Sequence, residues 1–119
     1  MTEEQKKEMI TISDLICTLK MERLKLKTEI LAKEQSIGEM ASTFILDINN
    51  QKNSDGKPTF TNETARSSEL TRRSASNSQY TLLQNEIQST HEKIQELSIR
   101  IEKGERLFRI NELFHLNKE

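Results

Sequence analysis

The chain has 119 residues, 33% of them hydrophobic and 31% charged, a ratio that leaves room for one domain but little apolar material for a compact globular core. Its 18 basic and 19 acidic residues give a net charge of −1, which excludes the whole-chain positive field of a general nucleic-acid coat protein and confines any such contact to a local patch. Three glycines, one proline, no tryptophan and 4% aromatic residues exclude a turn-rich β fold, and a single cysteine, Cys17, excludes an intrachain disulfide.

The opening Met-Thr-Glu-Glu-Gln-Lys-Lys-Glu is mixed in charge and leads into no apolar run, so neither a secretory leader nor a membrane span is expected. With one unpaired cysteine, the expected location is the cytoplasm of a cell or of an infected host.

From about residue 3 to 48 there is no proline, and apolar residues fall at alternating steps of three and four. Met9, Ile16, Ile30, Ile37 and Phe44 take the a positions with Arg23, and Ile12, Leu19, Leu26 and Met40 take the d positions with Lys33. The run exceeds four heptads and predicts a coiled-coil helix roughly 65–70 Å long. Beside it lies a second lane, Ile10, Cys17, Leu24, Leu31 and Ile45, with Gly38 in the fifth place, about 100° around the helix from the a positions. A two-stranded coiled coil has no use for that lane, so it predicts a further contact surface, for another copy of the chain or for a different protein.

Helix breakers then cluster from Asn49 to Pro58, and Asp55-Gly56 suits a turn with positive φ. Phe60-Thr61-Asn62-Glu63 predicts a helix start, with Thr61 or Asn62 as N-cap, Glu63 in the first turn and Phe60 stapling the loop. The turn is therefore expected over about 49–61. In an alternative reading, residues 43–48 and 57–61 pair as a short β-hairpin at the tip.

The stretch Asp55-Gly56-Lys57-Pro58-Thr59-Phe60-Thr61-Asn62-Glu63-Thr64-Ala65-Arg66 resembles a loop pattern, Asp/Asn-Gly-Lys-Pro-x-aromatic-Ser/Thr-Asn-Glu-x-x-Arg, of small uncharacterised coiled-coil proteins of prokaryotes and their phages. That resemblance covers about twelve residues and implies a phage or mobile-element accessory protein, with no activity attached.

A second helix is expected over about 62–116; in an alternative reading Ser74-Ala75-Ser76-Asn77-Ser78 breaks it briefly near 74–79. Its seam is Tyr80, Leu83, Ile87, Thr90, Ile94, Leu97, Ile101, Gly104 and Phe108. Folding the chain about Gly56 pairs Ile12 with Ile101, Ile16 with Leu97, Leu19 with Ile94, Leu26 with Ile87 and Ile30 with Leu83, apolar against apolar. The same register sets Arg23 against Thr90, Lys33 against Tyr80 and Asp47 against Arg66. Nearer the turn it sets Ile37, Met40 and Phe44 against Ser76, Arg73 and Glu69, which leaves those three poorly covered. At the far end Leu107, Phe108, Ile110, Leu113, Phe114 and Leu116 are apolar nearly all round the helix and predict oligomerisation or docking.

The predicted fold is all-α. Two long helices form an antiparallel coiled-coil hairpin, one domain over residues 1–119, assembled into a higher-order helical bundle.

No chemistry of a catalytic, metal or cofactor site emerges. His91 and His115 are too far apart on one helix to share a metal, and Gly56-Lys57 lacks the glycine spacing and the following Ser/Thr of a phosphate loop. The expected function is a non-enzymatic interaction protein: an adaptor, accessory factor or inhibitor of a larger machine, acting by self-association and protein binding. Ile10, Cys17, Leu24, Leu31, Ile37, Met40, Phe44, Ile45, Leu107, Ile110, Leu113 and Phe114 are the expected contact residues. The first alternative is a nucleic-acid-associated protein using Lys52, Lys57, Arg66, Arg72 and Arg73 around the turn on phosphates, a patch that equally suits an acidic partner. The second is a prefoldin-like chaperone subunit, which the chain resembles in length and hairpin form. That family's β-hairpins would have to come from the tip pairing.

Overall fold

The computed structural model describes residues 1–116, and these are all-helical: α1 is Glu3–Asn50, α2 is Glu63–Ser76 and α3 is Ser78–Leu116. α1 opens with a capping box, in which the Gln5 amide donates to Thr2 Oγ1 (3.1 Å) and the Thr2 amide donates to Gln5 Oε1 (2.7 Å). Glu3 and Glu4 place negative charge in the first turn, where the helix dipole favours it. Residues that compete for backbone bonds do not interrupt α1. The hydroxyls of Thr11, Thr18, Thr28, Ser36 and Thr43 each donate to the carbonyl four residues back.

After Asn50 the chain makes a tight Asx-organised turn. Asn53 Oδ1 accepts the amides of Asp55 and Lys57, both at 3.0 Å, and Gly56 takes φ 77, which a side chain would strain. Of the β-hairpin in the alternative reading of the tip there is one isolated antiparallel bridge, between Lys52 and Pro58. Residues 43–48 are unavailable for a strand because they lie inside α1. Asn62 caps α2, its Oδ1 accepting the Ala65 amide at 2.8 Å. A one-residue joint, Asn77, then separates α2 from α3. Its amide donates to the Ser74 carbonyl at 3.3 Å, and its Oδ1 accepts the Tyr80 amide at 2.9 Å, so one side chain opens α3 where its backbone closes α2.

The chain divides into two compact units. The first joins Met1–Glu29 to the part of α3 from Thr90 onward, and the second is Ile30–Ser89. In the first, Leu19, Leu97 and Ile101 form a buried cluster with Ile16 and Leu26 packed on it. Arg23 Nη1 donates to Ser98 Oγ at 3.2 Å, and Lys20 Nζ lies 2.9 Å from Glu105 Oε1. Ile16 sits so close to Gly104 that a Cβ there would stand 3.0 Å from Ile16 Cγ1. In the second unit, Ile30 and Ile48 are buried, Lys33 Nζ is 3.3 Å from Glu86 Oε2, and the Phe44 and Tyr80 rings are 6.2 Å apart.

These contacts correct the register expected from folding about Gly56. Ile16 meets Gly104 rather than Leu97, Arg23 meets Ser98 rather than Thr90, and Lys33 meets Glu86 rather than Tyr80. The cause is visible within the second unit. Leu70 shares a notch with Ile45 and Ile48, yet Asn77, seven residues on, still shares one with Phe44 and Asp47. α2 therefore spends two turns without advancing correspondingly along α1, and the two sides slip by about a heptad. Asp47 and Arg66 form no ion pair, because Arg66 directs Nη1 to the Phe60 carbonyl at 3.5 Å.

Candidate interaction surfaces

The second lane of α1 faces solvent. A heptad seam can bury only one stripe, and in the first unit that stripe is Met9, Ile16, Leu19 and Leu26; Ile10 and Leu24, outside it, are 60% and 66% exposed, and Cys17 is exposed. In the second unit the buried α1 residues are Ile30 and Ile48, while Leu31 is 66% exposed and Ile45 42%. Sequence reasoning missed Met21, which is 68% exposed and lies one turn from both Cys17 and Leu24. Read at sevenfold spacing alone, the lane looked one residue wide. At steps of four and three it widens to Cys17, Met21, Leu24, Thr28, Leu31, Gln35, Gly38, Ser42 and Ile45, all uncharged. These nine uncharged positions lie in a chain that is 31% charged.

The C-terminal part of α3 is sided in a way its composition concealed. The covered stripe runs Leu97, Ile101, Gly104, Phe108, Asn111 and His115, so its last two members are polar. The apolar Leu107, Ile110, Leu113 and Phe114 turn outward and are 49–61% exposed, joined by Ile99, which the sequence reading did not single out. His115 is buried, and its Nδ1 has no hydrogen-bond partner. The side chain of Leu116 lies outside the described residues.

Ile37, Met40 and Phe44, expected to be poorly covered, are half-buried. The slipped register brings Tyr80 to Phe44 in place of Glu69. Glu69 instead holds the basic cluster together. Arg72 grips its carboxylate in bidentate fashion, Nε to Oε2 at 3.0 Å and Nη2 to Oε1 at 2.5 Å, and Arg73 Nε adds a bond at 2.8 Å. The hydrogen bonds from Arg72 and then Arg73 lower the Glu69 pKa from 4.5 to about 2. Arg73 also donates to Gln51 Oε1 at 2.6 Å and lies over the Phe60 ring. Of the five basic residues anticipated as a phosphate patch, Lys52 and Lys57 stand exposed on the turn, whereas Arg66, Arg72 and Arg73 are each bonded within the chain.

No family model matches the chain, and no curated protein or solved structure matches it. Among the described residues no group of three or more His, Cys, Asp or Glu is placed to hold a metal ion, and no helix is long and apolar enough to cross a membrane. One surface notch in the second unit is lined by mixed side chains, among them Ile45, Asn49, Glu63, Arg66 and Ser67.

Proposed function

We propose that the chain is an antiparallel helical hairpin acting as a non-enzymatic interaction protein, an adaptor, accessory factor or inhibitor that self-associates through the outer seam of α1 into a larger helical bundle. The observation that carries this reading is the exposure of Met21, Leu24 and Leu31, each at least 66%, in the middle of one uncharged stripe. Burying two large aliphatic side chains contributes about 1.5–3 kcal/mol each, more than an isolated surface ion pair supplies. The outward strip Ile99, Leu107, Ile110 and Phe114 on α3 then remains for a different protein. A nucleic-acid role has less support, since Arg72 and Arg73 are both bonded to Glu69, which cancels one of their two positive charges.

The test is Leu24→Lys combined with Leu31→Lys, followed by circular dichroism and gel filtration over a dilution series. Both residues lie outside the buried stripe, so helicity at dilute concentration is expected to be unchanged while concentration-dependent association disappears. A variant that associates as the wild type does would contradict the reading.

A further inference from the structure

Resting on that self-association, we infer that the partner on the outer seam of α1 is the α1 of a second copy running in the opposite direction, related by a two-fold axis between Thr28 and Leu31. The seam is flanked by charges that change sign along the helix. Lys25 and Lys27 flank its N-terminal half, whereas Glu34 and Glu39 flank the C-terminal half. Glu22 and Glu29 lie a further lane round, and Lys20, on the Lys27 side, is already held by Glu105 of its own chain. A parallel copy in register sets lysine beside lysine and glutamate beside glutamate. An antiparallel copy sets Lys27 beside Glu34 and Lys25 towards Glu39, twice over by symmetry.

The sizes of the seam residues fit the same axis. About it Leu31 meets Thr28 of the other copy, Leu24 meets Gln35, Met21 meets Gly38 and Cys17 meets Ser42, so each larger side chain faces a smaller or unbranched one. Gly38 has no atom within 4 Å of where its Cβ would stand, which leaves a hollow on the surface opposite the long Met21 side chain. Ile45 falls opposite Asp14 at each end, where the seam stops being uncharged.

Cysteine cross-linking distinguishes this arrangement from other dimers. In the antiparallel pair the two Cys17 thiols are roughly 37 Å apart along the axis, while position 42 of one copy faces Cys17 of the other. Mild oxidation with diamide is therefore expected to leave the wild type unlinked and to convert Ser42→Cys into a disulfide-bonded dimer about tenfold faster or more, an effect lost when Cys17→Ser is added. Rapid linking of the wild type through Cys17 would mean a parallel pair and overturn the inference while leaving self-association standing. An associated Ser42→Cys protein that does not cross-link would overturn it equally. A wild type that stays monomeric by sedimentation would overturn the self-association itself.

Discussion

Glu69 is the residue at which local electrostatics are most concentrated, because two arginines donate to one carboxylate. Its pKa falls from 4.5 to about 2 on folding, so its contribution to stability is fully present above about pH 4.5 and is lost as the pH drops towards 2. Glu69→Gln is accordingly expected to lower the melting temperature by a few degrees at pH 7, with the gap to wild type closing progressively below pH 4.5 in thermal scans. A gap that stays constant between pH 7 and pH 2.5 would show that the carboxylate's charge is not what the arginines hold. The two helical glycines make a second comparison at this scale. Gly38 on α1 has open space where a methyl group would stand, so Gly38→Ala should stabilise the dilute chain by about 0.5–1 kcal/mol through helix propensity. At Gly104 the same gain is opposed by Ile16 at 3.0 Å, and overpacking of about 1–3 kcal/mol wins, so Gly104→Ala should destabilise. Urea unfolding of both variants at low concentration checks the opposite signs.

Among the elements, the α2–α3 joint does most to set the pairing within the second unit. Asn77 Oδ1 caps α3 through the Tyr80 amide, and Tyr80 in turn meets the Phe44 ring. Asn77→Ala removes the cap while favouring helix at the joint. The lost cap should dominate, lowering stability by about 1 kcal/mol in urea unfolding. A rise in both helicity and stability would instead mean that α2 and α3 fuse readily and that the joint is only a local propensity break. The helices themselves were legible in the sequence because long proline-free segments with apolar steps of three and four leave few alternatives. Register was not legible, for a physical reason. Shifting a heptad pattern by seven residues keeps every a position opposite a d position, so Ile16 can face Leu97 or Gly104 without breaking the periodicity. What decides between them is how α2 packs on the end of α1, and Ser, Thr and Arg from Ser67 to Asn77 carry no periodic signal for that. Exposure of the α1 lane followed from spacing alone. Exposure of Ile99, and the turning inward of Asn111 and His115, follow from the α3 seam continued past Phe108 at the same spacing, a face that a heptad slip leaves unchanged.

At the scale of the whole molecule, the chain carries more apolar surface than one coiled-coil seam can bury, with Ile10, Met21, Leu24 and Leu31 outside it on α1 and Leu107, Ile110, Leu113 and Phe114 outside it on α3. The proposed self-association on α1 accounts for the first set, and the charge segregation beside it gives that association a direction. The most direct measurement is sedimentation equilibrium of the unmodified protein from roughly 1 to 100 μM, a range that brackets micromolar affinity. Self-association through the outer seam predicts a mass rising with concentration from 13.8 kDa to twice that value or an even multiple of it. A single species of 13.8 kDa across the whole range, with full helicity by circular dichroism, would contradict it.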